Sequence, residues 1–218
     1  MADRPILFSA PMVRALLDGR KTQTRRVAKF VSPDGDGWHI HNSGGGMLGA
    51  DDDAVRVSGP DYAPFAVDDR LWVKETWHAE AAYDDTKPSE ILSDACNVLY
   101  PVDQSWSDSD PMNRAGKTRV SIFMPRWASR LTLTVTAVRV ERLQDISRAD
   151  AIAEGLTLAS NVLEEFWRWP EPHHENLWLS PPAAYRHLWN AINGAGAWNA
   201  NPWVVAVSFD VREGNIDG

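Results

Sequence analysis

From Leu131 to Leu143 the chain alternates apolar residues with threonine, and this run constrains the fold more than any other. Side chains of an extended strand point alternately to opposite faces, so Leu131, Leu133, Val135 and Ala137 line one face and the threonines the other. Shorter apolar runs at Pro5 to Phe8, Leu71 to Trp77, Val120 to Phe123 and Pro202 to Val211 read as further strands. Between them lie helical signals. Ser9 is an N-cap with Pro11 in the first turn, Met12, Val13, Leu16 and Leu17 form one apolar stripe, and Gly19 ends the helix. Ser147 and Asp150 have capping-box spacing and open a short helix that Gly155 closes. A longer helix follows Ser180-Pro181, with Tyr185, Leu188, Trp189 and Ile192 on one side and Gly194 after it. Strands at both ends and in the middle, with helices between them, imply an α+β fold with a mostly antiparallel, barrel-like sheet.

Two stretches fit this pattern poorly. Residues 31–66, with Gly44-Gly45-Gly46 and Asp51-Asp52-Asp53, are too polar to supply much core, and residues 78–118 are rich in turn signals. Both read as insertions in a single domain spanning 1–218. With 44% hydrophobic residues and eleven tryptophans the chain can bury a full core without disulfides or metal. Cys96, the single cysteine, reads as a small core residue and implies a reducing compartment. The longest apolar runs, such as Trp203 to Val207, fall far short of the roughly 20 residues that span a bilayer, and Met-Ala-Asp-Arg-Pro lacks a signal-peptide core. The expectation is a cytoplasmic protein with no membrane partner.

The formal net charge of −8 argues against coating nucleic acid with the whole surface. Its distribution is uneven. Residues 14–29 hold six basic side chains and one acid, residues 114–130 hold five and none, and the remaining 185 residues carry 11 basic and 29 acidic groups. If the two basic stretches meet, they form a local anion-attracting site; otherwise they are two solvated faces.

The residues suited to chemistry lie in and near the first stretch. Period two places Glu75 on the apolar face of Leu71, Val73 and Trp77, so its carboxylate either takes a cationic partner, as in an ordinary buried Glu–Arg pair, or keeps its proton. Lys21, Thr24 and Arg26 bring an amine, a hydroxyl and a guanidinium into one short segment. A threonine becomes a nucleophile when a base takes its proton, and a lysine serves as that base when burial or a neighbouring cation lowers its pKa. Arg26 is suited to lowering it and to meeting an oxyanion, and Glu75 to protonating a leaving amine. Without that context the segment is a solvated basic turn.

Other features are weaker. Pro125 to Arg130 sets Arg126 and Arg130 around Trp127, an arrangement for clamping a base or for placing a tryptophan in the core. Ala115-Gly116-Lys117-Thr118 has Pro111 where a phosphate loop needs glycine. His39, His41, His173 and His174 read as surface histidines rather than metal ligands, and the Asp51 run as solvated. The stretch Phe166 to Trp178 could pack as a lid or meet a partner.

The segment Gly19-Arg20-Lys21-Thr22-Gln23-Thr24-Arg25-Arg26, placed after a strand and helix and before the Asp69 to Trp77 strand, resembles the ASCH domain of the PUA-like superfamily. That family's motif is G-x-K-x-x-E-x-R. Gly19, Lys21 and Arg26 match it, and Thr24 replaces the acid, as in the small bacterial N4-acetylcytidine amidohydrolases of the family. The resemblance covers residues 5–29, 67–77, about 119–145 and the last strand. It implies a small β-barrel flanked by helices, with Lys21 as base, Thr24 as nucleophile and Glu75 as proton donor. The longer form is similar to phage and prophage members.

The activity expected is removal of the acyl group from an N4-acylcytosine nucleoside, without metal or organic cofactor. Lys21, Thr24, Glu75 and Arg26 are the catalytic candidates, and Arg25, Trp77, Arg126 and Arg130 the substrate-binding ones. The alternatives are an RNA-binding module and a ribonuclease.

Overall fold

The computed structural model describes residues 1–42, 46–92, 96–103, 115–159, 165–169 and 177–218. In chain order its elements are β1 (Asp3–Leu7), α1 (Ala10–Leu17), β2 (Gln23–Val27), β3 (Val31–Asp34), β4 (Gly37–His41), β5 (Met47–Ala50), α2 (Asp52–Ser58), β6 (Arg70–Lys74), β7 (Trp77–Glu80), β8 (Ala115–Arg119), β9 (Leu131–Arg142), α3 (Arg148–Ala153), β10 (Thr157–Leu158), β11 (Trp167–Arg168), α4 (Pro181–Asn193) and β12 (Trp203–Glu213). The fold is α+β. Among the pairings described residue by residue, β1 with β6 is parallel and the others are antiparallel. The main sheet has the order β1-β6-β9-β12-β2 and does not close into a barrel. No helix among the described residues is long and apolar enough to cross a membrane.

The chain divides into two compact units. One, here the Lys21 unit, comprises Met1, Gly19–Asp68 and Val135–Asp210; the other, the Glu75 unit, comprises Ala2–Asp18, Asp69–Thr134 and Val211–Gly218. The long strands β9 and β12 each contribute residues to both.

In the Lys21 unit, β2 runs antiparallel to β12, with Thr24 opposite Val207 and Arg26 opposite Val205. Residues 31–66, expected to be an insertion too polar to supply much core, form the antiparallel sheet β3-β4-β5 and the helix α2. Gly35, with φ +53, supplies the first loop position of the two-residue β3–β4 turn. The Asp51 run is structural: Asp51 caps α2 by accepting from Ala54 N, and Asp52 accepts from Trp38 Nε1. Ile40 and Val55 are buried. A few well-placed apolar residues therefore suffice to anchor a segment whose average composition is polar. Of the tryptophan-rich stretch, Trp167 and Trp169 are buried and Trp167 bridges to Trp178; residues 170–176, with His173 and His174, lie outside the described residues. On α4 the expected stripe holds at Tyr185, Leu188 and Trp189, whereas Ile192 is exposed.

In the Glu75 unit the expected strand from Leu71 to Trp77 is broken. β6 ends at Lys74 and β7 begins at Trp77, because the Glu75 N–H turns to the Met124 sulfur (3.3 Å) instead of a sheet carbonyl. Burial nevertheless keeps period two across the break, through Leu71, Val73, Glu75, Trp77 and Ala79. Residues 78–118 are not merely polar excursion: Ile91 joins Trp77, Ala79, Met124 and Ala128 in a core cluster, and Cys96 packs against it. The strand expected at Val120 to Phe123 is a tight turn, followed by another at Arg126–Ala128. Val120, Ile122 and Phe123 are exposed there, and Met124 alone of this run enters the core. A short apolar run does not reveal its conformation by periodicity.

Candidate functional site

Gly19 (φ +68) turns the chain after α1, and the next three residues dock onto the C-terminal end of α3. Arg20 Nη1 donates to Gly155 O (2.6 Å), Lys21 bridges Glu154, and Thr22 N donates to Ala153 O (2.9 Å). Carbonyls at a helix C-terminus lack intrahelical partners and carry partial negative charge, so a basic segment is a fitting cap. This docking carries the Lys21 side chain inside, where it has no solvent exposure. Its Nζ donates to Gln23 O (2.8 Å), Glu154 O (3.0 Å) and Glu154 Oε2 (2.8 Å).

Gln23 and Arg25 share a face of β2 and extend this polar core. Arg25, also wholly buried, donates through Nε and Nη2 to Glu141 Oε1 (3.1 and 2.7 Å) and through Nη1 to Glu154 Oε1 (3.2 Å). Gln23 Nε2 donates to Asp150 Oδ1 and Ser208 Oγ, Arg139 donates to Asp150, and the Tyr185 hydroxyl donates to Glu154 Oε1 (3.4 Å). Glu154 thus gathers Lys21, Arg25 and Tyr185 on one carboxylate. Buried charges persist only when paired in this way. Arg25, a substrate-binding candidate by sequence, is held inside the unit by carboxylates.

The electrostatics of Lys21 follow from its place. Burial pushes the amine below the ordinary lysine value; Glu154 offsets part of that, and the nearby charges of Arg26 and Arg25 push it further down. Burial likewise lowers Arg26, with Glu154 opposing. Tyr185 is raised well above the usual phenol value, by burial first and by Glu154 second. Thr24 and Arg26 lie on the opposite face of β2 from Gln23 and Arg25. Thr24 is 2% exposed.

Glu75 belongs to the other unit, with Trp77, Arg126 and Arg130. It takes the cationic partner that burial demands: Arg130 Nε donates to Oε1 (2.9 Å) and Nη2 to Oε2 (3.1 Å), and the guanidinium lies 3.9 Å from the Tyr100 ring centroid. Trp77, a substrate-binding candidate by sequence, is fully buried in the core cluster, edge-on to Trp127 at 6.3 Å. Arg126, another such candidate, donates to Asp3 and Asp217, and these partners raise it above the usual arginine value. The two arginines of the Pro125 to Arg130 segment thus each hold carboxylates of this unit. From the first basic stretch Lys21 and Arg25, and from the second Arg126 and Arg130, pair with acids of their own unit.

The remaining candidates have ordinary settings. His39 pairs with Asp34 and His41 with Ser32, and no group of three metal-ligating side chains occurs among the described residues. Gly116 and Lys117 lie on β8, and Pro111 is outside the described residues.

The sequence reading missed Glu154, Glu141, Asp150 and Tyr185. One signal was available for the first. Glu154 follows a short helix directly before Gly155, where the helix dipole disfavours an acid, so a carboxylate there needs a specific partner. No protein-family model, curated protein or solved structure matches the chain.

Proposed function

We propose that this chain is an amidohydrolase of the ASCH type that removes the acyl group from an N4-acylcytosine nucleoside. Its architecture in this reading is a PUA-like fold whose main sheet stays open, flanked by helices and carrying 31–66 and 78–118 as insertions. One observation carries the proposal: a wholly buried lysine, depressed by burial and by neighbouring arginines, lies three residues from a buried threonine. Neutral amines act as bases, and a threonine needs one to become nucleophilic.

Thr24 Oγ1 attacks the acyl carbon while Lys21 takes its proton, and Arg26 meets the oxyanion. Collapse of the tetrahedral intermediate breaks the bond from carbon to N4, and the departing amine receives a proton. Glu75 is the donor that the resemblance implies, but its bidentate guanidinium partner favours the carboxylate. We therefore assign the proton to Lys21, which has just acquired one. Water, deprotonated again by Lys21, then releases the acid from the acyl-threonine. The RNA-binding and ribonuclease alternatives need basic groups open to phosphate, and the pairing of Arg25, Arg126 and Arg130 with carboxylates counts against them.

The test is conversion of N4-acetylcytidine to cytidine, followed by ultraviolet absorbance. Lys21→Ala should lose about 10²–10⁴-fold in kcat, Thr24→Val should lose at least as much, and Glu75→Gln should keep most of its turnover if folded. A wild type inactive on this and related acylcytosines would overturn the reading. Loss in a folded Glu75→Gln would return the donor role to Glu75.

A further inference from the structure

Within the amidohydrolase reading, the chemistry depends on where the Lys21 amine points and when it is neutral, and neither property belongs to Lys21 alone. Its four-carbon stem is flexible, yet three acceptors fix Nζ, and two of them come from one residue: the main-chain carbonyl and Oε2 of Glu154. Glu154 is itself held. Its backbone bridges Lys21, its neighbours accept from Arg20 and Thr22, and its second carboxylate oxygen accepts from Arg25 and Tyr185. A carboxylate at a helix C-terminus opposes the helix dipole, so its retention there calls for a role.

We propose that Glu154 is a positioning residue whose carboxylate and main-chain carbonyl together aim the Lys21 amine for proton transfer. This rests on the amidohydrolase reading but has a readout of its own. The charged groups acting on the amine are Arg25 and Arg26 from β2 and Glu154 after α3, and Tyr185 from α4 meets Glu154 in turn. Glu141 of β9 and Asp150 of α3 lie one step further, through Arg25 and Gln23. Glu154 is the group among them whose charge favours the ammonium form, so neutralising it makes the amine titrate at lower pH.

The experiment uses the full chain as wild type, Glu154→Gln, Glu154→Asp and Ser147→Ala. Titration of the Lys21 amine is followed by NMR of labelled lysine, assigned with Lys21→Arg, beside the pH dependence of kcat/KM on N4-acetylcytidine. In Glu154→Gln the Lys21 titration and the rising limb of kcat/KM should move together to lower pH. The plateau kcat should fall on the order of a hundredfold as the amine loses its aim. Glu154→Asp, which keeps the charge, should return the titration toward wild type and serves if the Gln protein does not fold. Ser147→Ala weakens the other end of α3 and should leave the titration in place, which a merely structural role of Glu154 would not separate. An unmoved Lys21 titration in folded Glu154→Gln, or an undiminished plateau, overturns the proposal. An inactive wild type in which the titration still moves overturns the amidohydrolase reading while supporting the hold of Glu154 on Lys21.

Discussion

Arg25 is a fully buried guanidinium that meets the acids of three different segments, Glu141 on β9, Asp150 on α3 and Glu154 beyond it, and donates besides to Gln23 Oε1. Removing one partner from such a cluster leaves charges without water or counterion, and Arg25→Met should cost about 3–5 kcal/mol in urea denaturation. Asp150 gives the cluster a pH signature. Its burial acts to raise the carboxyl, but hydrogen bonds from Ser147, Arg139 and Gln23 outweigh burial and bring it from 3.8 down to about 2. A depressed carboxyl contributes stability that is present above the unfolded value and lost as pH falls through the folded one. Stability should therefore decline between about pH 4 and pH 2, and Asp150→Asn should flatten that part of the acid-denaturation curve. An unchanged acid limb in the variant would remove Asp150 from the explanation.

At the scale of elements, α3 has six residues and is too short to persist alone. Its ends hold it. Ser147 Oγ accepts from Asp150 N (3.0 Å) and donates to Asp150 Oδ2 (2.8 Å), while Arg20, Lys21 and Thr22 engage the far end. Ser147→Ala should cost about 1 kcal/mol, read from the denaturation midpoint. Gly19 delivers those three residues to α3 from a left-handed conformation, φ +68, with open space where a side chain would begin. Gly19→Ala should accordingly cost about 1–2 kcal/mol through backbone strain alone. A cost near zero would show that the turn relaxes, and with it the docking of Lys21.

Over the described residues, Lys21, Arg25, Arg126 and Arg130 all pair with carboxylates, which bears on what these basic groups attract. A generic single-stranded RNA should show no complex at about 10 µM protein and about 0.15 M salt, a concentration within the usual range of non-specific binding; a tight, salt-sensitive complex would restore the RNA-binding alternative. Much of this organisation was legible in the sequence, because side-chain direction follows from backbone conformation over a few residues. Alternation marked β9 and the buried side of Leu71, Val73, Glu75 and Trp77, and Gly19, Ser147 and Ser180 marked helix ends. The burial of a carboxylate at position 75 and the need for a cationic partner could be stated in advance. Which cation it would be could not. Glu75 meets Arg130 across 55 residues and Lys21 meets Glu154 across 133, and those choices depend on which strand ends and helix termini the folded backbone brings together. The chain's local pattern determined strands, caps and the sites where charge must be buried. Only tertiary structure decided the partners, because a buried charge is stabilised by whatever opposite charge geometry delivers within a few ångströms, irrespective of distance along the chain.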